Sequence, residues 1–261
     1  MKRAFSVFLV FICLFSLAIP SAHAGTYASQ ISSVMSDFSY NNIFCDSAPQ
    51  QQVNGSYRTV EMLEIIAKEY GCASSSISSV MSDFSYNNIF CDSAPQQFVN
   101  GTYRTVEMLE LIALKIGCSS SSVSAVMSDF SYNNIFCDSA PQQAVNGTYR
   151  TVELLELIAL KLGCSSSSVS AVMSDFSYNN IFCDSAPQQQ VNGTYRTVEL
   201  LELIALKIGC SSSSVSAVMS DFSYNNIFCD SAPQQVVNGT YRTVELLELI
   251  ALKLDNSFIS F

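Results

Sequence analysis

The segment VMSDFSYNNIFCDSAPQQ occurs five times in this chain, and successive copies begin 46 residues apart. A fixed period of this length is typical of repeat proteins, in which each unit buries its apolar surface against its neighbours. Five similar units therefore limit the possible folds more strongly than any single motif. The alternative is a string of independently folded beads.

Residues 1–24 have the pattern of a cleavable secretory signal. Lys2 and Arg3 precede an apolar run of about 16 residues, which ends before the small-residue site Ala22–Ala24. The run is shorter than the roughly 20 residues that span a bilayer, which argues against a retained membrane anchor. The expected units are repeat 1 at 25–72, as an N-terminal cap, repeat 2 at 73–118, repeat 3 at 119–164, repeat 4 at 165–210, and repeat 5 with a C-terminal tail at 211–261.

Loss of the signal would remove Lys2, Arg3 and the only histidine, His23, which leaves 10 basic against 22 acidic residues. Nucleic acids and anionic membranes require clustered Lys and Arg, so neither partner is expected, nor is membrane insertion after cleavage. Without imidazole, the usual serine, cysteine and zinc mechanisms are excluded. The chain is expected to be secreted, periplasmic or attached to the cell surface.

A first amphipathic helix is predicted in each unit. In the third unit Val123, Val126, Met127 and Phe130 fall on one helical face, and the preceding serines are candidate N-caps. Asn133 and Asn134 interrupt the pattern. This helix is therefore predicted to end near residue 132.

A second helix is predicted over 152–162, with Thr151 as its N-cap, Glu153 in its first turn and Gly163 as its stop. Apolar residues cover most of its circumference, so it is expected to be buried on more than one side. In the first unit Lys68 stands where Leu114 stands in the second, and Glu69 and Tyr70 also differ from the later copies. A polar outer face on a terminal unit indicates a stack of repeats with an exposed end.

The connection between these helices, 133–150, is longer than most helix–helix loops and must have its own structure. Asp138–Pro141 predicts a turn, and Asn146-Gly147 between two short extended runs predicts a tight β-hairpin. The residue after each Gln pair varies in size and polarity, so it is expected to be exposed. It is Gln52, Phe98, Ala144, Gln190 or Val236.

Regularly spaced cysteines in an exported chain favour disulfides over metal ligands, with buried free thiols as the alternative. Pairing within units and pairing across unit boundaries, such as Cys72 with Cys91, both remain open, and the former keeps each unit self-contained. Pairing within units involves Cys45 with Cys72, Cys91 with Cys118, Cys137 with Cys164, and Cys183 with Cys210. It leaves Cys229 unpaired, whereas pairing across boundaries leaves Cys45. An exposed leftover thiol would join two chains in a disulfide-linked homodimer, unless it is buried and unreactive.

Each unit contains one Asn-Gly-Ser/Thr sequon, a possible glycosylation site on the tip of the predicted hairpin. The alternative is that Asn-Gly serves the turn alone. The asparagines are Asn54, Asn100, Asn146, Asn192 and Asn238.

Carboxylate pairs are the remaining enzymatic possibility, with Asp129 and Asp138 or Glu153 and Glu156 as acid and base. Glu153 and Glu156 are more simply the solvated edge of a helix, so no enzyme is expected. Asp129 and Asp138 with nearby asparagines lack a known calcium-loop pattern, so neither metal nor cofactor is expected. An aromatic set is assigned to the core rather than to a carbohydrate or peptide site. Its members are Phe130, Tyr132, Phe136 and Tyr149.

The sequence thus predicts a mainly α tandem-repeat α-solenoid of five 46-residue helix–short hairpin–helix units with disulfides. The expected function is non-enzymatic binding of an extracellular protein or glycan through a multivalent repeated surface, as in adhesion or matrix binding. The alternative is a structural subunit of a cell-surface or extracellular filament. The sequence does not identify the partner.

Overall fold

The computed structural model describes residues 27–37, 47–83, 93–129, 139–175, 186–221 and 231–257. These ranges contain ten α-helices and no strand, so the prediction of a mainly helical repeat is confirmed. None of these helices is long and apolar enough to cross a membrane. Short and long helices alternate in the order α1 (Ala28–Asp37), α2 (Ala48–Glu69), α3 (Ser74–Asp83), α4 (Ala94–Lys115), α5 (Ser120–Asp129), α6 (Ala140–Leu162), α7 (Ser166–Asp175), α8 (Ala186–Lys207), α9 (Ser212–Asp221) and α10 (Ala232–Ser257).

The five long helices form a closed ring. Each packs against the next along the chain, and α10 packs against α2 as extensively as any consecutive pair. Gln52 on α2 donates from Nε2 to the Pro233 carbonyl on α10 at 3.0 Å, and Gln190 makes the same bond to Pro141 between α8 and α6. The expected open stack with a solvated first unit is therefore wrong, because the first and last repeats contact each other through the ordinary repeat interface.

The long helices run parallel around a common axis. Gly101 of α4 lies beside Ser56 of α2, and one side chain near the carboxyl end of α4, Lys115, lies beside Gly71 at the end of α2. Each short helix packs on the long helices before and after it, and α1 packs on both α2 and α10. The first short helix thus covers the seam where the ring closes.

The long helix of the third unit begins at Ala140, twelve residues before its predicted start at 152. In the third unit Ser139 is the extended N-cap residue and Pro141 lies in the first turn of α6, so the proline begins the helix. Asn146, Gly147 and Thr151 all lie inside α6. The predicted β-hairpin and the predicted N-cap at Thr151 are therefore wrong.

Glycine is needed at this position for close helix packing rather than for a turn. A methyl group on Gly147 would lie 2.6 Å from Cγ2 of Thr102 on α4, well inside van der Waals contact. Gly55 stands in the same relation to Thr240 across the seam. Asn-Gly therefore does not form a turn here, because the neighbouring helix leaves no room for a side chain at the glycine position.

The predicted helix stop at Gly163 is confirmed. Its φ of 85° is left-handed, and its amide donates to the Leu160 carbonyl while the Cys164 amide donates to the Ala159 carbonyl. These two bonds satisfy the last carbonyls of the helix in a Schellman motif. In the fifth repeat Asp255 replaces this glycine, and α10 continues to Ser257.

Substitution of Gly147 by Ala is expected to lower the free energy of unfolding by roughly 1–3 kcal/mol, because the new methyl overpacks against Thr102. At an exposed helical site the same change would stabilise by up to about 1 kcal/mol. Chemical denaturation of Gly147→Ala, Thr102→Ala and the double variant measures the coupling. Partial rescue in the double variant is expected; a stabilising single substitution would contradict the close contact.

Candidate functional site

The axis of the ring is lined by hydroxyl groups. Each long helix contributes two of them, and together they surround a cavity of about 60 Å³ with Phe98 in its wall. Every hydroxyl donates to a carbonyl of its own helix, as Thr102 does to Phe98 and Thr105 to Gly101. The residues are Ser56, Thr59, Thr102, Thr105, Thr148, Thr151, Thr194, Thr197, Thr240 and Thr243. With these protons committed to the backbone, the axis is a packing surface between helices and presents no activated nucleophile.

A fully buried apolar layer follows one turn beyond these hydroxyls on the long helices. Its members are Met62, Met108, Leu154, Leu200 and Leu246. On the amino-terminal side of the hydroxyl residues, the variable residue after each Gln pair is buried in all five repeats, so its predicted exposure is wrong. Five side chains of four residue types share one layer of the ring, and a large one, Phe98, is accompanied by a small one, Ala144. Sequence variation here reflects shared central space rather than contact with solvent.

A groove of about 390 Å³ lies on the outside of the ring, between α3 and α4. Ser76 and Val80 of the short helix face Glu107, Glu110 and Leu111 of the long helix. The same helix pair recurs in every repeat with similar residues at these positions. A related groove is therefore expected at the four equivalent positions around the closed ring.

Each repeat contains a buried arginine that pairs with a glutamate of the same long helix. Arg104 is buried, donates from Nε to Asn100 Oδ1 at 3.4 Å, and forms an ion pair with Glu107. The other repeats place the same interactions at Arg58, Arg150, Arg196 and Arg242. The sequon asparagines lie partly buried on long helices, so their predicted place on a hairpin tip is wrong, while glycosylation itself stays a prediction.

The glutamate one turn further along the long helix differs in its surroundings between repeats. In the first repeat Glu64 Oε1 lies 2.7 Å from Lys68 Nζ. In the second repeat Glu110 is followed four residues later by Leu114, which is exposed. Partial burial raises the pKa of Glu110, and it does the same for Glu156 and Glu202.

Two carboxyl groups meet at the seam of the ring. Glu69 occupies the repeat position at which each later repeat has a lysine, and that lysine lies beside the glycine that ends the long helix of the preceding repeat. Asp255 occupies the position of that glycine in the last repeat. Asp255 is only 3% exposed, and Glu69 Oε1 is buried without a hydrogen-bond partner. Desolvation, and then the charge of Asp255, raise the pKa of Glu69 from 4.5 to about 7. The same two causes, with Glu69 and Asp255 as the charges, raise the pKa of the nearby Tyr27.

The described cysteines are thiols at the carboxyl ends of long helices: Cys72, Cys118, Cys164 and Cys210. The Cys72 thiol donates to the Leu111 carbonyl of α4 at 3.6 Å. Burial raises the pKa of the Cys72 thiol, and Lys115 partly opposes this shift. The other predicted disulfide residues, Cys45, Cys91, Cys137 and Cys183, lie outside the described residues, as does Cys229.

Of the two predicted carboxylate pairs, Glu153 with Glu156 lies within the described residues, whereas Asp129 with Asp138 does not and stays a prediction. Glu153 forms an ion pair with Arg150, Glu156 is partly buried on the same helix, and Asp138 lies outside the description. Among the described residues no group of three or more His, Cys, Asp or Glu could hold a metal ion. Tyr149 is buried as expected, whereas the aromatic residues at 130, 132 and 136 lie outside the described ranges.

Comparison of this chain with models of protein families, with curated proteins and with solved structures finds no match. The outer grooves and the seam were not apparent from the sequence alone. The one available signal was the replacement of Lys68, Glu69 and Tyr70 in later copies, which marks the place where the first repeat meets the last.

The seam makes stability depend on pH. Because the pKa of Glu69 is raised in the folded state, the contribution of protonated Glu69 to the free energy of unfolding is fully present below about pH 4.5. It is lost as pH rises through about 7. The Glu69→Gln variant is expected to lose roughly 1 kcal/mol less stability than the unmodified protein over this pH range, after allowance for solvent screening. Thermal melts between pH 4 and 8 measure it, with Glu64→Gln as the control at a solvated ion pair. An unchanged pH slope in Glu69→Gln would show that Glu69 does not titrate in this range.

Proposed function

We propose that this protein is an exported, non-enzymatic binding protein that uses its repeated outer surface to hold an extracellular protein or glycan. The observation that supports this most directly is the recurrence, around a closed ring, of the helix pair that forms the outer groove. The hydroxyl groups of the axis are bonded to the backbone, and the long helices are buried against each other, so among the described residues the grooves are the accessible repeated feature.

Multivalency gives such a ring its physical advantage. A partner that enters one groove has a high effective concentration at the next, so modest contacts add up to slow dissociation. A closed ring also holds the grooves at fixed spacing, since both neighbours of every long helix are set by packing. The filament alternative has less support, because the first and last repeats contact each other and leave no open repeat face for growth.

We also propose that Cys72, Cys118, Cys164 and Cys210 remain thiols, the alternative to disulfides left open by the sequence. A helix of 22 residues such as α2 is about 33 Å long. Cys45 precedes the start of α2 by three residues, which span at most about 11 Å, whereas Cys72 follows its end. A disulfide requires Cα atoms within about 7 Å, so the intact ring disfavours pairing within a unit. The same distance opposes Cys72 with Cys91, since Cys72 contacts the far end of α4.

Blocking the grooves stepwise tests the binding function. The binding partner is first recovered from the exterior medium of the producing cells with immobilised protein. Ser76→Tyr fills one groove, and further tyrosines at Ser122, Ser168 and Ser214 fill the equivalent ones. We expect the dissociation rate measured by surface plasmon resonance to rise more than in proportion to the number of blocked grooves. Tyrosines at the exposed Ser78, Ser124, Ser170 and Ser216 are the control. Equal effects of both series would contradict the proposal.

Thiol titration of the denatured mature protein, with and without prior reduction, tests the cysteine assignment. At least four thiols are expected without reductant; fewer than four would indicate that the carboxyl-end cysteines form disulfides.

The predicted homodimer, joined through Cys229 or Cys45, is checked on non-reducing gels of Cys229→Ser and Cys45→Ser. A monomeric unmodified protein would contradict the dimer.

A further inference from the structure

The first repeat supplies an internal comparison for the outer groove. Its Glu64 is neutralised by Lys68, one helical turn further along, at 2.7 Å. In repeats 2 to 5 that lysine is replaced by a leucine, which is partly buried as Leu252 in repeat 5 and exposed in the other three. Leu114, Leu160 and Leu206 expose 40%, 41% and 41% of their surface, and they are the exposed large apolar residues of the described chain.

The same replacement changes the carboxylates of these three repeats. Glu110, Glu156 and Glu202 lack a basic residue four positions further along the helix, yet they are partly buried. A half-desolvated carboxylate gains more from a cation than a fully solvated one, because water screens the pair less. The three grooves therefore keep the carboxylate and lack the cation that the first groove contains.

The apolar floor of the groove also differs. Ile65 in the first repeat is 3% exposed, whereas the equivalent Leu111, Leu157 and Leu203 are only partly buried. With Leu114 one turn away, the second groove combines an apolar strip with one carboxylate. A lysine or arginine matches both parts, since its methylene stem packs on leucine while its charged end meets the glutamate.

We infer that the grooves of repeats 2, 3 and 4 bind lysine or arginine side chains from an amphipathic basic segment of an extracellular protein. In each groove the partner's cation takes the place that Lys68 occupies on Glu64 in the first repeat, and the partner's apolar residues cover Leu114, Leu160 or Leu206. The acidic chain attracts such a segment from a distance. This inference rests on the proposed binding function and selects a protein over a glycan as its partner.

The test uses the full mature protein and a helical peptide of about 18 residues made of leucine and lysine, whose two faces are apolar and basic. Isothermal titration calorimetry in about 150 mM salt screens charges beyond about 8 Å and leaves close ion pairs. We expect binding that weakens by about tenfold or more when the peptide lysines are acetylated. Binding that survives acetylation would overturn the inference, since it would not depend on a cation.

A lysine at the position equivalent to Lys68 should neutralise the glutamate of each of the three grooves and so weaken binding of a partner's cation. The triple variant Leu114→Lys, Leu160→Lys and Leu206→Lys places a cation four residues after each glutamate, and about tenfold weaker peptide binding is expected. The matched control adds the same charge on exposed residues outside the grooves, as Ser124→Lys, Ser170→Lys and Ser216→Lys. Equal weakening by both triples would overturn the inference in favour of unspecific charge attraction.

A gain of binding provides the complementary test, because it cannot arise from misfolding. Lys68→Leu exposes Glu64 and should add one lysine-binding groove, seen as a higher peptide stoichiometry or a slower dissociation. An unchanged titration would count against the inference. If stepwise groove blocking still releases the native partner while the leucine-to-lysine variants hold it normally, the proposed binding function stands and the basic partner is wrong.

Discussion

Adjacent long helices approach so closely that a glycine on one lies against the hydroxyl residue of the other, and this contact recurs at every interface of the ring. The pairs are Gly55 with Thr240, Gly101 with Ser56, Gly147 with Thr102, Gly193 with Thr148, and Gly239 with Thr194. Small residues at such a crossing allow parallel backbones to pack with a large shared contact. The axial layers, the outer grooves and the closure of the ring all depend on this spacing, because a wider one would leave the axis unfilled.

Closure imposes a demand that an open stack of repeats does not. An open stack needs polar ends, whereas a ring needs its first and last units to fit each other as well as the internal ones do. The chain meets this demand with the same Gln-to-Pro carbonyl bond across the seam as between α6 and α8. The departures from the repeat, Glu69 and Asp255, lie together at that seam, where a lysine lies beside a glycine in the other interfaces. The raised pKa of Glu69 makes the stability of this seam depend on pH.

The polar groups of the molecule fall into two sets with different roles. Those facing the axis bond within their own helices and hold the core together, as the Thr105 hydroxyl does with the Gly101 carbonyl. Those facing outward include a buried arginine that fixes one glutamate of each groove and a second glutamate whose surroundings vary between repeats. This variation separates the first groove, where Lys68 pairs with Glu64, from those of repeats 2, 3 and 4, where a leucine replaces the lysine.

Local patterns in the sequence determined the helical repeat, its 46-residue period, the short amphipathic helix and the glycine that ends each of the first four long helices, because these depend on neighbouring residues of one chain. Contacts between repeats decided the rest. Asn146-Gly147 has the local chemistry of a turn, yet Gly147 lies in a helix because the adjacent helix leaves no room for a side chain. Phe98 and Ala144 look like exposed variable positions in the sequence, yet they are buried because five repeats converge on one axis. The meeting of α10 with α2 is the clearest case: closure depends on the angle accumulated over five interfaces, which no single repeat encodes by itself.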